Sequence, residues 1–264
     1  MHSFTSRERP RGGLTRRRAA ESTGGLSAPA LSFTRTPGPL LQVVGLVGGA
    51  GASTLAYLTA ATAAEQSSAP VLVCDTGGPT AGLAVYAGVQ SARTLADTAE
   101  RVAAGEPLGG GLFAQAEGGL RVIAGDPQFT VTGEKEGVRR LLHDARLVHG
   151  LTVLDGGTLA RSSEQAAIAL ATHVAWVLPA SDSALQRARR VLSRLAPLGR
   201  PELIIARAEG RKAPIDALGD LADERRAPLI LMPHLSALAE HRIADACSEA
   251  ALTLQAIAGL LKQP

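Results

Sequence analysis

The run Leu40-Leu41-Gln42-Val43-Val44-Gly45-Leu46-Val47-Gly48-Gly49-Ala50-Gly51-Ala52-Ser53-Thr54 decides the fold. Leu40–Val47 is a short apolar stretch ending in glycines, which reads as a fully buried strand. Ala52–Glu65 follows as an Ala- and Thr-rich helix. A strand, a glycine turn and a helix that opens with hydroxyls make an anion cradle. Glycines let backbone N–H groups turn toward a phosphate, and the helix N-terminus adds its dipole. The same glycines also serve a tight strand-to-helix turn, and Ser53 or Thr54 also serves as a first-turn residue.

Working outward, strands and helices alternate. Pro70–Asp75 reads as a second buried strand ending in a carboxylate, Thr94–Ala104 as a helix and Gly119–Ala124 as a third strand. Glu134–His149 is helical, with Val138, Leu141, Leu142 and Ala145 on one face. Leu151–Leu154 is a fourth strand, followed by Asp155. Helices at 162–171, 182–195 and 214–224 alternate with strands at 173–178, 202–206 and 228–231, and one C-terminal helix is expected near 236–261. Apolar strands alternating with helices predict a three-layer α/β domain, a mostly parallel twisted sheet with helices on both faces. In such sheets ligands bind beyond the carboxyl ends of the strands. Gly48–Thr54, Asp75 and Asp155 all follow strands and should meet on one edge.

The chain has 264 residues, 45% apolar and 3% aromatic, so a sizeable core must be built from Ala, Val, Leu and Ile. Residues 1–40 carry seven Arg against Glu8 and Glu21, a net +5. With 27 basic and 24 acidic residues in all, the remainder is −2. The expected organisation is therefore a basic, disordered tail over 1–40 and one folded domain over 41–264. The Arg-rich stretch 7–18 suits nonspecific contact with nucleic acid or an anionic surface. Cys74 and Cys247 are lone thiols, and the six His form no metal-ligand spacing, which argues against a zinc site or a disulfide framework. No apolar run is long enough for a transmembrane segment.

The general Walker A pattern requires Gly-Lys-Ser/Thr, with the Lys on the β/γ-phosphates and the hydroxyl on Mg²⁺. Here the Lys position is Ala52. The chain nevertheless resembles the MinD/ParA family of P-loop NTPases, whose deviant loop reads K-G-G-x-G-K-[ST]-[ST]. Val47-Gly48-Gly49-Ala50-Gly51-Ala52-Ser53-Thr54 keeps the three glycines and both hydroxyls and lacks both lysines. Val71–Asp75 resembles the family's second strand, whose terminal Asp helps to orient the attacking water. Leu151–Asp155 resembles the Walker B strand, whose Asp supports the metal. Gly119–Gly125 and Pro228–Pro233 resemble two further family strands, and the likeness covers roughly 41–260. The loop form is nearest that of the CpaE/TadZ pilus-assembly and septum-site-determining branch.

The resemblance implies a nucleotide cradle at Gly48, Gly49, Ala50, Gly51, Ala52, Ser53 and Thr54. It implies Asp75 as a catalytic residue, and Ser53 with Asp155 as Mg²⁺ ligands where ATP is bound. With Val47 and Ala52 in the lysine places, and with no Asn in the late strand Ile204-Ile205-Ala206-Arg207 where the family commonly reads adenine, it implies weak or lost ATP binding and hydrolysis. The expected function is a cytoplasmic positioning or scaffold protein, recruited to the cell pole, septum or membrane surface. Its partners would belong to a positioning, pilus or secretion system, with homodimerisation as the family's habit. Two alternatives stay open. One is an active ParA-like partition ATPase holding DNA through the Arg-rich tail. The other is a Rossmann-type oxidoreductase, motivated by Gly45-x-x-x-Gly49-x-Gly51 and Asp75. It is opposed by the lack of a Tyr-x-x-x-Lys pair, since Tyr57 and Tyr86 are followed four residues on by Ala61 and Gln90.

Overall fold

The structure, a computed structural model, describes residues 36–76, 82–89, 93–125, 135–159, 167–209, 213–240 and 242–263. Residues 1–35 of the tail expected over 1–40, and 162–166 of the helix expected at 162–171, lie outside the described residues. Residues 35–264 form one compact unit.

Among the described residues, eight strands make one sheet: β1 Leu40–Gly45, β2 Val71–Asp75, β3 Ala114–Gln115, β4 Arg121–Ile123, β5 Leu151–Asp155, β6 His173–Pro179, β7 Glu202–Arg207 and β8 Leu229–Met232. Their order is β3-β4-β2-β5-β1-β6-β7-β8. All pairings are parallel except β3 with β4 at one edge. The central strands β1, β2, β5 and β6 are buried at every position, as their continuous apolar runs require.

The helices are α1 Ala52–Gln66, α2 Gly82–Tyr86, α3 Leu95–Ala103, α4 Lys135–Val148, α5 Asp182–Leu192, α6 Ile215–Arg225, α7 Ile243–Glu249 and α8 Ala251–Leu260. Residues 167–170 are also helical. Strand alternation sorts the core into two sides. Leu41 and Val43 of β1 pack with Leu55 and Leu58 of α1 and Ile257 of α8. Leu40 and Val44 pack on the other side with Leu141 of α4, Leu185 of α5 and Leu218 of α6. The three-layer, mostly parallel architecture is as the sequence predicts. Buried Ala, Val, Leu and Ile supply most of the core, with Trp176 as its largest side chain.

Three local features differ from expectation. The single C-terminal helix is broken into a 3-10 turn at Ser236–Glu240, α7 and α8. Arg242 is non-helical at φ −87, ψ 82. The Glu249 carboxylate accepts from the Ser236 hydroxyl at 2.5 Å and the Ala237 N–H at 3.2 Å, which folds the turn back onto α7. The Gly/Pro loop after β2 contains α2, and the sheet gains the two-residue antiparallel strand β3. Both are too short to show a hydrophobic period.

Candidate functional site

The glycine loop leaves β1 at the centre of the sheet and is fixed by the strands on either side. Gly45 N–H donates to the Gly157 carbonyl just beyond β5 at 2.8 Å, and Leu46 N–H to the Val177 carbonyl of β6 at 2.8 Å. Ala50 N–H closes a turn onto the Val47 carbonyl at 3.3 Å. Gly49 and Gly51 take φ +72 and +97, the left-handed region that glycine enters at little cost. Gly51 then caps α1 with no side-chain bond, so the first-turn N–H groups of α1 are left for another acceptor. A Cβ at Gly48 or Gly49 would meet nothing within 4 Å, so the cradle is open on its outer side. A cleft of about 500 Å³ begins there, with Val47, Gly48, Ser181, Arg187, Arg190 and Glu209 among its walls.

Asp75 and Asp155 end the adjacent parallel strands β2 and β5 and are register partners. They are 3% and 2% exposed. The Ser53 hydroxyl donates to the Asp155 carboxylate, and Gly157 N–H reaches its Oδ1 at 3.4 Å. Burial pushes the Asp155 carboxyl above its ordinary range, and these two donors pull it partway back. Thr76 braces the strand end, with its hydroxyl donating to the Asp155 carbonyl at 2.6 Å. Burial, and the nearby Asp75 and Asp155, push the Cys74 thiol well above its usual value. Cys74 is thus an inert core thiol.

The fold therefore brings Gly48–Thr54, Asp75 and Asp155 to one edge, around the carboxyl ends of β2, β5 and β1. Three neighbours were not evident from the sequence. Tyr86 of α2 stacks on Tyr57 at 6.0 Å between ring centroids, and the Thr54 hydroxyl donates to its Oη at 3.1 Å. Gly82 opens α2 against Ser53, whose Cβ lies 3.9 Å from where a Gly82 Cβ would stand. Arg207 ends β7 with its guanidinium against Gly51. Only its position at a strand's carboxyl end could have marked it beforehand.

These residues fit a magnesium nucleotide in part. Backbone donors, a hydroxyl and a buried carboxylate held together by a hydrogen bond suit a phosphate chain and a hard cation. Ser53 and Asp155 would hold the metal, and the amides of Gly48–Ser53 the phosphates. Bound Mg²⁺ would supply charge neutralisation at the phosphate oxygens. The loop itself supplies no cation. Among the described residues no cluster of three or more His, Cys, Asp or Glu side chains could hold a metal by itself, and no helix is long and apolar enough to cross a membrane.

A glycine loop between a buried strand and a helix, faced by a strand-end carboxylate, gives the chain a P-loop NTPase-like fold. Comparison with solved structures identifies the fold further, as that of the ParA and MinD ATPases. A ParA family ATPase from Chlorobium tepidum superposes with a TM-score of 0.67 at 20% identity, over 82% of this chain and 92% of that one. A chain of the MinC:MinD cell division protein complex of Aquifex aeolicus gives 0.64 at 15% identity, over 84% and 96%. Cobyrinic acid a,c-diamide synthase from Mycobacterium smegmatis, with bound ADP and magnesium, gives 0.58 at 16% identity, over 83% and 94%. No family model and no curated protein matches the chain in sequence. One fold thus carries both ParA and MinD proteins and a cobyrinic acid a,c-diamide synthase, and function has to be argued from the site.

Proposed function

We propose that this protein is a MinD/ParA-like spatial organiser or scaffold whose magnesium-nucleotide site is weakened and hydrolyses slowly. One observation carries the reading. Ser53 and the buried Asp155 are hydrogen-bonded beside an open glycine loop, while Val47 and Ala52 stand where a working loop holds lysines. Amide donors, Ser53 and Asp155 support residual binding. Loss of the lysine removes charged hydrogen bonds worth about 1.5–3 kcal/mol each in binding, and more in the transition state. Such a protein would act by contact with protein partners of a positioning, pilus or secretion system. It would work as a nucleotide-biased homodimer in the cytoplasm, at the pole, septum or membrane surface.

The test is calorimetric titration of Mg-ATP into the full chain, with Ala52→Lys alongside. Weak saturable binding, tightened about tenfold or more by Ala52→Lys, is expected from one restored charged hydrogen bond. A native turnover of about one per second or faster, abolished by Asp155→Asn, would remove the scaffold reading. A second reading, DNA partition, is favoured by the seven Arg of residues 1–40. Removing those residues should then abolish salt-sensitive DNA retention, and unchanged retention sinks it.

A further inference from the structure

The charge missing from the loop has a candidate source elsewhere in the sheet. Arg207 is the last residue of β7, separated from β1 by β6 alone. Its Nη1 lies 3.7 Å, and its Cδ 3.9 Å, from where a Cβ on Gly51 would stand. The guanidinium therefore lies close to Gly51, the residue that caps α1. A Cβ at Gly51 would make only ordinary van der Waals contact with it, and it is the backbone at φ +97 that favours glycine there. The Met232 methyl packs on the same spot at 3.9 Å.

The partner of Arg207 is exchangeable. Its Nη2 meets Glu209 Oε1 at 3.3 Å, with the two side chains 30% and 38% exposed. Surface ion pairs of this kind contribute little, about 0–1 kcal/mol, so a stronger anion can displace the carboxylate. Glu209 also lines the cleft that opens beside Gly48. A guanidinium presents a planar fork of donors that matches phosphate oxygens better than an ammonium does.

We propose that Arg207 supplies from β7 the phosphate-binding charge that Ala52 lacks, so that a polyphosphate on the glycine loop replaces Glu209 as the partner of the guanidinium. This inference rests on the retained, weakened nucleotide site argued above and adds a specificity to it. A site whose side-chain cation reads phosphate discriminates poorly between bases.

The experiment titrates tripolyphosphate, Mg-ATP and Mg-GTP into the full chain at about 150 mM salt, where exposed charges are screened beyond ~8 Å. Native protein is compared with Arg207→Gln, Arg207→Lys and Glu209→Gln, and thermal melts confirm that each variant folds. The Arg-rich N-terminal stretch is common to all samples, so the differences report on Arg207. Arg207→Gln should weaken all three ligands alike, by about tenfold or more for the loss of a charged hydrogen bond. Arg207→Lys should recover part of the loss, and Glu209→Gln should tighten each ligand by a few-fold. Equal affinities in native protein and Arg207→Gln overturn the inference and leave the retained site standing. A loss for ATP with tripolyphosphate unchanged also overturns it, by assigning Arg207 to the base. Failure of the native chain to bind any of the three overturns both the inference and the retained site.

Discussion

Asp155 and Glu202 are both buried carboxylates on one sheet, and their surroundings are opposite. Asp155 closes β5 at the carboxyl edge. It receives the Ser53 hydroxyl and a long N–H from Gly157, with no cation among the groups that set its charge. Glu202 opens β7 at the amino edge and is fully enclosed by donors. Trp176 Nε1 donates to it at 2.6 Å, Arg225 through Nη2 at 2.7 Å and Nε at 3.1 Å, and Leu198 N–H at 3.0 Å. Arg225 also lies 5.8 Å from the Trp176 ring centroid and donates to the Leu195 carbonyl at 2.7 Å. A satisfied buried charge ties elements together, here β6, β7 and α6. An undersatisfied one costs stability and is kept where something else is to bind.

The largest effect expected from this contrast is at the amino edge. Arg225→Ala leaves Glu202 buried without its cation and should destabilise the fold by about 3–5 kcal/mol in urea or thermal unfolding. A loss under about 1 kcal/mol, the range of exposed ion pairs, would break the comparison.

The next effect is a pH dependence from the same edge. His149 follows α4 just before β5, 2% exposed, with Nδ1 on the Ala145 carbonyl at 2.9 Å and Arg121 at 3.2 Å from Nε2. Burial lowers its pKa to about 4, with a further push from Arg121 opposed by the Ala145 hydrogen bond. A base depressed in the fold contributes stability that is present above its unfolded pKa near 6.5. That stability falls away as pH drops toward 4. Lowering pH from 7 to 4.5 should therefore cost about 2–3 kcal/mol that His149→Gln does not lose. His173, lowered mainly by burial, adds a dependence of the same sign in both proteins. Parallel stability–pH curves for native and variant would remove His149 as the cause.

The smallest effect has the reverse sign. The raised pKa of Asp155 means that its contribution is present below the unfolded carboxyl pKa and lost as pH rises through the folded one. Asp155→Asn should thus stabilise the protein at neutral pH, read as a rise in the thermal midpoint, while removing Mg²⁺-dependent nucleotide binding. Destabilisation instead would place Asp155 with Glu202 as a structural carboxylate.

Much of the fold was legible from local pattern. The runs at Leu40–Val47, Pro70–Asp75, Leu151–Leu154, 173–178 and 202–206 lie within two residues of the strands observed, because a doubly covered parallel strand must be apolar throughout. The helix over Glu134–His149 shows its buried face in Val138, Leu141, Leu142 and Ala145. Short or irregular pieces were not legible. Strand β3, α2 and the breaks at Arg242 and Ala250 are set by contacts such as Glu249 with Ser236, between residues far enough apart to leave no period. The glycine loop and the strand-end acids were visible as motifs, and their convergence followed from sheet chemistry.

The sequence by itself determined the class of architecture, the glycine cradle and the absence of its lysines, since these depend on residue type and on spacing within one element. Only the tertiary structure decided that Ser53 bonds to Asp155, that Tyr86 rests on Thr54, that Glu202 is neutralised by Arg225 and that Arg207 reaches Gly51. Each of those pairs joins residues 23 to 156 positions apart on separate elements. Strand order brings them together. A pattern of apolar positions shows that a strand is buried, but carries no record of which strands will lie beside it.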